Sequence, residues 1–360
     1  MHASAQAPSA VVMVRPHRFH PNPETAADNA FQARTAQHAA STTSRHAFAE
    51  VTAAAACLQD AGVRVHLFDD PGERDTPDAV FPNNWFSTHA GGHVAIYPMY
   101  ATSRRRERRS DIIDSLKAQY RVQEVVDYSG LEQDGLFLEG TGAMVLDHIH
   151  RVAYTAQSNR ADPVALERFC AHFNYEPMAF ATADAQGRPC YHTNVMLCVG
   201  TAFALGGFHM ITDPARRAAV CERLRETGRE VIALSPQQIG EFAGNALELS
   251  GTRGRVLALS ARAAASLTPA QRATIERSAR LLPLAVPTIE LAGGSVRCML
   301  AGVHLARRHQ PAGGSACVSS RASQPVPDAI QRRASADIAR TAQGGVMPVT
   351  PAGSATMPHQ

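Results

Sequence analysis

The sequence predicts an α/β fold, and three features of its pattern carry that prediction. Short apolar segments that suit β-strands recur along the chain, often two in succession. Amphipathic segments of about ten to fifteen residues, which suit helices, separate these pairs. No Pro/Gly-rich linker interrupts residues 11–306, so a single domain is the simplest division. Strands that alternate with helices favour an α/β or α+β domain over a helical bundle or a β-sandwich.

Apolar spacing defines the elements in chain order. Residues 11–14 form an apolar run that suits a buried strand, and the Ala-rich residues 44–59 suit a helix that ends before Gly62. Residues 104–119 carry apolar side chains at helical spacing and are predicted as a second helix. The other strand candidates are short apolar runs: 63–68, 93–97, 122–126, 143–146, 152–155, 195–199, 202–205, 230–234 and 256–259. The other helix candidates each begin at a proline: 163–174, 214–227 and 269–281.

Composition narrows the class of function. The 360 residues are 45% apolar, which is enough for a sizeable core, and a net charge of +3 with 19% charged residues does not favour a nucleic-acid or membrane-surface partner. No apolar run approaches the roughly 20 residues of a membrane-spanning helix. The first ten residues lack the basic and apolar regions of a secretory signal. We therefore expect a cytoplasmic protein that binds a small molecule or a protein.

The two ends of the chain differ from the middle. We predict a flexible N-terminus over residues 1–10 and one catalytic domain over residues 11–306. Residues 307–360 are dominated by Ala, Ser, Pro, Gly, Gln and Arg without a sustained period. Such a segment has too little apolar surface to offset its ordering entropy, so we predict a disordered low-complexity tail.

The seven cysteines form no CxxC pair, and an odd number over a long chain argues against a disulfide framework or a structural zinc site. We expect reduced thiols. Cys298 differs from the others because Gly293-Gly294 and Arg297 precede it. Open backbone and a cationic neighbour both favour a thiolate. A core thiol beside a tight turn is the plainer interpretation, and the residues alone leave both open.

Three further segments carry side chains that suit catalysis or binding. His192 precedes an apolar strand candidate, and an imidazole titrates close to working pH, so it suits a general acid or base. Glu139 precedes Gly140-Thr-Gly142, where the glycines allow the backbone to approach a ligand and the carboxylate could orient an imidazole. A glycine turn between two strands with an exposed Glu fits this segment equally well. Asn83 and Asn84 follow a proline, where amides either serve the backbone or bind a planar polar ligand.

Three motifs are interpreted as structural. Asp147-His148-Ile149-His150 places two histidines on one face of an extended segment but lacks a third ligand, so a solvated strand end is favoured and no metal site is predicted. Gly140-Thr-Gly142 lacks the third glycine of a dinucleotide fingerprint, and no cofactor is predicted. The basic run at residues 104–109 is interpreted as a solvated helix start, because no aromatic residues alternate with it.

Taken in order, these segments resemble the guanidine-modifying superfamily, the penteins, which includes arginine deiminase, dimethylarginine hydrolase and amidinotransferases. The resemblance is greatest to the citrulline-utilisation hydrolase branch. It covers about residues 11–305, a size that one domain allows, and includes Met13-Val-Arg15-Pro16 and Gln157-Ser-Asn159-Arg160. It implies a five-bladed, pseudo-symmetric α/β propeller with a central site.

The resemblance also implies roles for individual residues. Cys298 matches the nucleophile, His192 the acid/base and Glu139 its carboxylate partner. Arg160 falls where the family holds the α-carboxylate of the substrate.

This chain departs from arginine deiminase at the positions that face the guanidinium. Asn83-Asn84 stands where the deiminase has Arg-Asp, and His192-Thr193-Asn194 stands where it has His-x-Asp. Burying a cation without its counter-charge costs several kcal/mol, whereas a neutral ureido group can exchange hydrogen bonds with amides. We therefore expect Asn83, Asn84 and Asn194 to bind citrulline in preference to arginine. Ala143 replaces the Asp of the deiminase Glu-Gly-Gly-Asp motif, so the hydrogen bonds around the ureido nitrogens must differ.

The implied activity is hydrolysis of citrulline to ornithine, ammonia and carbon dioxide through an S-carbamoyl cysteine, without a metal or organic cofactor. Because a free thiol is mostly protonated at neutral pH, Cys298 needs activation by protonated His192, by backbone donors or by the substrate. One alternative is a guanidine hydrolase of the arginine deiminase type or an amidinotransferase. Another is a non-catalytic propeller that binds a protein or ribosomal partner. A papain-type hydrolase is less favoured, because its nucleophile lies near the start of the chain.

Overall fold

The computed structural model describes residues 5–33 and 40–308. The tail predicted for residues 307–360 lies outside the described residues, apart from Arg307 and Arg308. None of the described helices is long and apolar enough to cross a membrane.

The first sheet joins the two ends of the described chain. Strands β1 (Ala10–Pro16) and β2 (Arg64–Asp70) are parallel, and helix α1 (Ala40–Asp60) lies between them in sequence. The last strand, residues Ala301–Gly302, pairs antiparallel with Val11 and Val12 of β1. The final segment of the domain therefore completes the sheet that the first segment begins.

The other four sheets repeat one pattern, in which an antiparallel hairpin is followed by a helical connection and a third strand parallel to the second. Parallel strands need such a crossover connection. The strands are β3 (Phe86–His89), β4 (His93–Ile96), β5 (Glu124–Asp127), β6 (Met144–Asp147), β7 (Val152–Ala156), β8 (Glu176–Phe180), β9 (Leu197–Val199), β10 (Phe203–Gly206), β11 (Glu230–Ala233), β12 (Leu247–Gly251), β13 (Gly254–Ser260) and β14 (Arg280–Leu284), with Ala301–Gly302 as β15. The other helices are α2 (Thr102–Arg105), α3 (Ser110–Gln119), α4 (Gly140–Ala143), α5 (Pro163–Phe173), α6 (Pro214–Glu226), α7 (Pro236–Gly240), α8 (Ala261–Ser266), α9 (Pro269–Glu276) and α10 (Val296–Met299). The described residues thus form five sheets of three strands, and the predicted five-bladed propeller is confirmed.

Helices α5, α6 and α9 begin where the sequence predicts, for a local reason. Asp162, Asp213 and Thr268 precede the three prolines, and each side chain accepts a hydrogen bond from a backbone N–H of the first helical turn. Proline suits the first helical position because its missing N–H has no partner there in any case.

Two predicted helices have different bounds in the structure. The helix predicted over residues 269–281 ends at Glu276, because Arg280–Leu284 pairs in parallel with β13 and becomes β14. The helix predicted over residues 104–119 is interrupted between α2 and α3. The interruption turns Arg104 inward, where only 2% of it is exposed, so the basic run is not simply a solvated helix start.

The N-terminal segment also differs from its prediction. Gln6 is buried, and its side-chain amide donates to the carbonyls of Leu146 (3.0 Å) and Val199 (2.9 Å). Because these partners belong to two other sheets, residues 6–10 pack against the domain instead of forming a flexible N-terminus.

Five segments occupy equivalent places in the five repeats, each directly before the strand that begins an antiparallel pair. They contain Asn84 before β3, Glu139 before β6, His192 before β9, Asn245 before β12 and Cys298 before β15. The strands that follow are largely buried. A segment that precedes a buried strand in each repeat brings these five side chains toward the interior of the domain.

Candidate active site

Two amide groups surround the predicted nucleophile. Cys298 is 2% exposed, and its Sγ lies 3.4 Å from Nδ2 of Asn194 and 3.3 Å from Nδ2 of Asn245. An amide N–H that donates to sulfur favours the thiolate over the thiol. The stabilising donors are therefore side-chain amides, whereas the sequence analysis considered backbone donors.

Asn245 was missed by the sequence analysis. Its Nδ2 also donates to the Asn194 carbonyl at 2.9 Å, and its Oδ1 accepts from the Arg297 N–H at 3.0 Å. These contacts fix both the oxygen and the nitrogen of the amide. The signal that identifies Asn245 is its place in the repeat, directly before β12, and that place is visible only once the five-fold pattern is aligned.

Glu139 and His192 form a buried pair. The His192 Nε2 and the Glu139 Oε2 are 2.7 Å apart, and neither residue is more than 2% exposed. A carboxylate accepts the hydrogen bond, so the imidazole proton lies on Nε2 and the Nδ1 lone pair remains to take up a proton.

Burial lowers the pKa of His192 to about 4, although Glu139 opposes that shift. The imidazole is therefore neutral near pH 7 and suited to accept the thiol proton. This pKa favours a neutral resting imidazole over the protonated His192 that the sequence predicts as one possible activator.

Two buried arginines flank Glu139. The Glu139 Oε2 lies 3.5 Å from Nη1 of Arg160 and 3.6 Å from Nη1 of Arg104. Burial alone would raise the pKa of Glu139, but the Arg160 charge, the His192 hydrogen bond and Arg104 together hold it below the usual value. Glu139 is therefore a fixed negative charge that orients the imidazole.

Arg104 was interpreted from sequence as a surface residue, and the structure corrects this. Its guanidinium bonds both oxygens of Glu107, at 2.9 and 3.0 Å, and lies 3.8 Å from Oδ2 of Asp78. Burial alone would lower its pKa, but Glu107, Asp78 and Glu139 raise it. Arg104 is thus a permanent cation at the site, held by carboxylates from three parts of the chain.

The predicted amides Asn83 and Asn84 occupy different positions. The side-chain amide of Asn84 is oriented with its oxygen toward Arg104, because the reverse orientation would bring its N–H donors against those of the guanidinium. In this orientation the oxygen accepts hydrogen bonds from Nη1 and Nη2 of Arg104, at 3.0 Å each, and the nitrogen donates to Asn83 Oδ1 at 3.3 Å. Asn84 lines the cavity beside Cys298, whereas Asn83 is fully buried and does not. Asn83 therefore contacts Asn84, and direct contact between Asn83 and a substrate is not supported by its position.

Close backbone approach explains the glycines after Glu139, which lie in the short helix α4 and not in a turn between strands. Gly140 has φ of +45°, and a Cβ there would lie 2.6 Å from the Asn83 carbonyl oxygen. A Cβ on Gly142 would lie 2.9 Å from the His192 ring and even closer to the Asn84 amide. Side chains at these two positions would displace the groups that line the site.

The described conformation is closed. Cys298, His192, Asn84, Arg104 and Arg160 line one cavity of about 20 Å³, which has room for one or two water molecules and not for an amino acid. Thr25 and Asn29 complete the wall, and the latter donates to the Ala292 carbonyl at 3.0 Å.

Arg160 lies in the cavity wall but already has a carboxylate partner. Its Nε and Nη2 bond the two oxygens of Asp28, at 2.9 and 2.5 Å, and its guanidinium lies 4.9 Å from the centre of the Tyr191 ring. A substrate carboxylate must displace Asp28 or share Arg160 with it. The role predicted for Arg160 stays a prediction on this geometry.

Within residues 5–33 and 40–308, no group of three or more His, Cys, Asp or Glu side chains is arranged to hold a metal ion. The chemistry available in the cavity is a thiol, a neutral imidazole with an oriented tautomer, two permanent cations and side-chain amides. This set suits nucleophilic catalysis with proton transfer.

Comparison with known families agrees with this chemistry. A family model described as eukaryotic N,N dimethylarginine dimethylhydrolase matches residues 15–305. The chain belongs to this family. Membership confirms the resemblance to the guanidine-modifying (pentein) superfamily and the prediction of a cysteine hydrolase that acts on C–N bonds of ureido or guanidino compounds. No curated protein matches the sequence significantly.

Solved structures share the fold at low sequence identity. The apo structure of ArgZ, an arginine dihydrolase from cyanobacteria, has a TM-score of 0.63 at 14% identity over 82% of this chain. The chain spans 40% of that protein. A structure of the N-terminal domain of ArgZ, covalently bound to a reaction intermediate, is matched over 97% of its length and 82% of this chain, with a TM-score of 0.64 at 15% identity. A mutant of DDAH from Pseudomonas aeruginosa, in complex with citrulline, has a TM-score of 0.55 at 14% identity, and the match covers 84% of this chain and 100% of that protein.

Proposed function

We propose that this enzyme hydrolyses the ureido group of citrulline to give ornithine, ammonia and carbon dioxide. The observation that carries the proposal is the amide environment of the reacting groups. Asn194 and Asn245 contact the Cys298 sulfur, and Asn84 lines the cavity beside it. Neutral amides match the hydrogen-bonding groups of a neutral ureido function and offer no counter-charge to a guanidinium.

The proposed reaction has two halves. His192 takes the thiol proton, and the Cys298 sulfur forms a bond to the ureido carbon. The tetrahedral intermediate then breaks the bond from that carbon to the side-chain nitrogen, which leaves as the amine of ornithine with a proton from His192. In the second half, His192 removes a proton from water, hydroxide attacks the S-carbamoyl carbon, and the C–S bond breaks to regenerate the thiolate. The carbamate that is released decomposes to ammonia and carbon dioxide.

Two relatives support the substrate class. The N-terminal domain of ArgZ has been seen with a covalently bound intermediate, and the Pseudomonas enzyme has been seen with citrulline. Arg160 is the cation in the cavity wall that we assign to the α-carboxylate of the amino acid, which would displace Asp28 or share the guanidinium with it. A cytoplasmic location and the end of the catalytic domain at residue 306 remain predictions.

A guanidino substrate is the second candidate, and Asp78 favours it. Asp78 lines the cavity and is buried, so it is a potential counter-charge for arginine. Burial raises the pKa of Asp78, although Arg104 opposes the shift, and this weakens its value as an anion. The ArgZ structures belong to an arginine dihydrolase, which agrees with this alternative.

Product analysis distinguishes the candidates. The purified protein is incubated separately with citrulline, arginine and N,N-dimethylarginine, and ornithine, citrulline, ammonia and urea are quantified. We expect equal amounts of ornithine and ammonia from citrulline, without urea. Turnover of arginine alone would contradict the proposal.

Asn84→Asp is expected to shift preference toward arginine. The new carboxylate in the cavity wall supplies a counter-charge for a guanidinium, so the ratio of kcat/KM for citrulline to that for arginine should fall at least about tenfold, equivalent to ~1.4 kcal/mol. Asn245→Asp is the matched control, because it adds the same charge beside the sulfur but does not line the cavity. The control should slow both substrates and leave the ratio unchanged. A ratio that does not move in Asn84→Asp would argue against recognition by the amides.

A further inference from the structure

A second cavity lies beside Arg297, the residue before Cys298 in the chain. It has a volume of about 30 Å³ and is lined by residues from all five sheets or from the segments that lead into them, including Ser87, Thr141, Cys198, Ala246 and Ala301. No residue lines both this cavity and the one beside Cys298. We call it the axial cavity.

Among the described residues that line the axial cavity, Arg297 is the one with a permanent charge. Its side chain lines the cavity, and none of the described lining residues is an aspartate or glutamate. Its one side-chain hydrogen bond within the described part of the chain runs from Nη1 to the Leu300 carbonyl at 3.0 Å. The two other interior arginines described above, Arg104 and Arg160, each hold a bidentate carboxylate. Arg297 therefore differs from them in having no acidic partner among the described residues.

Cys298 and Cys198 are titratable neighbours that raise the pKa of Arg297, but burial raises the pKa of Cys198 to about 12, and Cys298 lines the other cavity. His148 and His304 line the same cavity with their rings stacked 3.7 Å apart. Burial lowers the pKa of both, so both are neutral near pH 7. Burial also lowers the pKa of Arg297 itself, as expected for a cation without a counter-charge.

Water molecules alone would leave the charge of Arg297 without a counter-charge. Removing a cation from bulk water costs several kcal/mol unless it is paired. A volume of about 30 Å³ admits only one to three water molecules, and these do not neutralise a charge. A guanidinium that keeps free N–H groups facing such a space is a donor set for an anion.

We propose that the axial cavity is a binding site for a small monovalent anion, held by Arg297. The volume suits a single halide ion, and the chemistry also admits bicarbonate, into which released carbon dioxide is hydrated. The site is separate from the one at which the ureido group is hydrolysed, and the proposal does not depend on which substrate the enzyme takes.

Thermal unfolding of the full chain tests the proposal. The protein is titrated with sodium chloride, sodium bromide or sodium bicarbonate at constant ionic strength, with sodium isethionate as the balancing salt because its anion is too large for the cavity. We expect Tm to rise and saturate with at least one of the small anions, since a ligand of the folded state stabilises it by mass action. A response to the halides but not to bicarbonate would identify a halide site, and the reverse would identify a bicarbonate site.

Arg297→Gln should abolish the saturating rise in Tm, and Arg297→Lys should keep part of it. Arg255→Gln is the matched control, because Arg255 is partly exposed and pairs with Glu248 at 3.2 Å; its response should equal that of the wild type. Equal responses in the wild type and Arg297→Gln, or no response in the wild type, would overturn the proposal.

If Arg297→Gln does not fold, anomalous scattering from wild-type crystals soaked in bromide tests the site instead. A bromide peak within hydrogen-bonding distance of Arg297 supports the site, and a cavity that holds only water refutes it.

Discussion

Cys298→Ala is expected to abolish turnover of citrulline, with a loss in kcat on the order of 10⁶, as for removal of the nucleophile in other enzymes with covalent intermediates. The reason is that no other group in the cavity can form the covalent intermediate. The other polar groups in the cavity wall are two amides, two arginines, the imidazole of His192, the carboxyl of Asp78 and the hydroxyls of Thr25 and Tyr191, and none of these is as strong a nucleophile as a thiolate. Residual activity within tenfold of the wild type would exclude the thiol route.

Trapping the S-carbamoyl intermediate tests whether Cys298 is the residue that forms the covalent bond. A reaction quenched in acid and digested should yield a carbamoyl adduct on the peptide that contains Cys298, and only when citrulline is present. Cys170→Ala is the matched control, since Cys170 is also buried and burial raises its pKa to about 12. That variant should keep both activity and adduct. An adduct on another cysteine would contradict the assignment of Cys298.

The residues that could be predicted are those whose motif is local. Cys298 follows a glycine pair, Glu139 precedes Gly-x-Gly, and His192 precedes an apolar strand, so each pattern is visible within a few positions. Asn245 offers no such pattern, because Ala-Gly-Asn-Ala is compatible with any loop. Its role follows from the position it shares with the other four segments before the inner strands, which is a property of the repeated fold.

Arg104 shows why burial of charge is hard to predict from sequence. A run of arginines before an amphipathic helix is typical of a solvated surface. The partners that hold Arg104 in the interior are Asp78, Glu107 and Glu139, of which only Glu107 is a neighbour in the chain. Asp28 and Arg160, which pair across 132 positions, present the same difficulty. Long-range ion pairs leave no periodic signal.

The sequence analysis missed β3, β8, β12, β14 and β15, and two of these strands have a comparable explanation. β8 contains Pro177, which removes a backbone donor and is tolerated because β8 pairs on one side only, with β7. β14 continues directly from a helical pattern and becomes a strand because β13 offers it parallel hydrogen bonds. Tertiary pairing, which local propensity does not encode, decided both elements.

Glu139→Gln is expected to lower kcat/KM by about 10² to 10⁴. Glutamine nearly preserves the shape of Glu139 but can present its amide nitrogen to His192, which favours the wrong tautomer and removes the charge that stabilises an imidazolium. His192→Ala removes the proton acceptor itself and should lose at least as much. Glu132→Gln is the matched control: Glu132 is an ion-paired carboxylate, bound by Arg108, but does not line the cavity. Its kcat/KM should stay within a few-fold of the wild type.

The pH profile separates a catalytic pair from a merely structural one. In the wild type, the imidazole must be neutral to accept the thiol proton, and its pKa of about 4 means that kcat/KM should not lose activity through His192 protonation between pH 7 and 5.5. An ordinary histidine would become mostly protonated over that interval. Because Glu139 raises the pKa of His192 against the effect of burial, Glu139→Gln should move the acid limb to still lower pH while it lowers the rate.

The folded state, which holds His192 neutral, should lose stability as pH falls from about 6.5 toward 4, since the unfolded chain takes up the proton first. An acid limb near pH 6.5 in the wild type, unchanged in Glu139→Gln, would show that His192 is not the buried base that its contact with Glu139 implies.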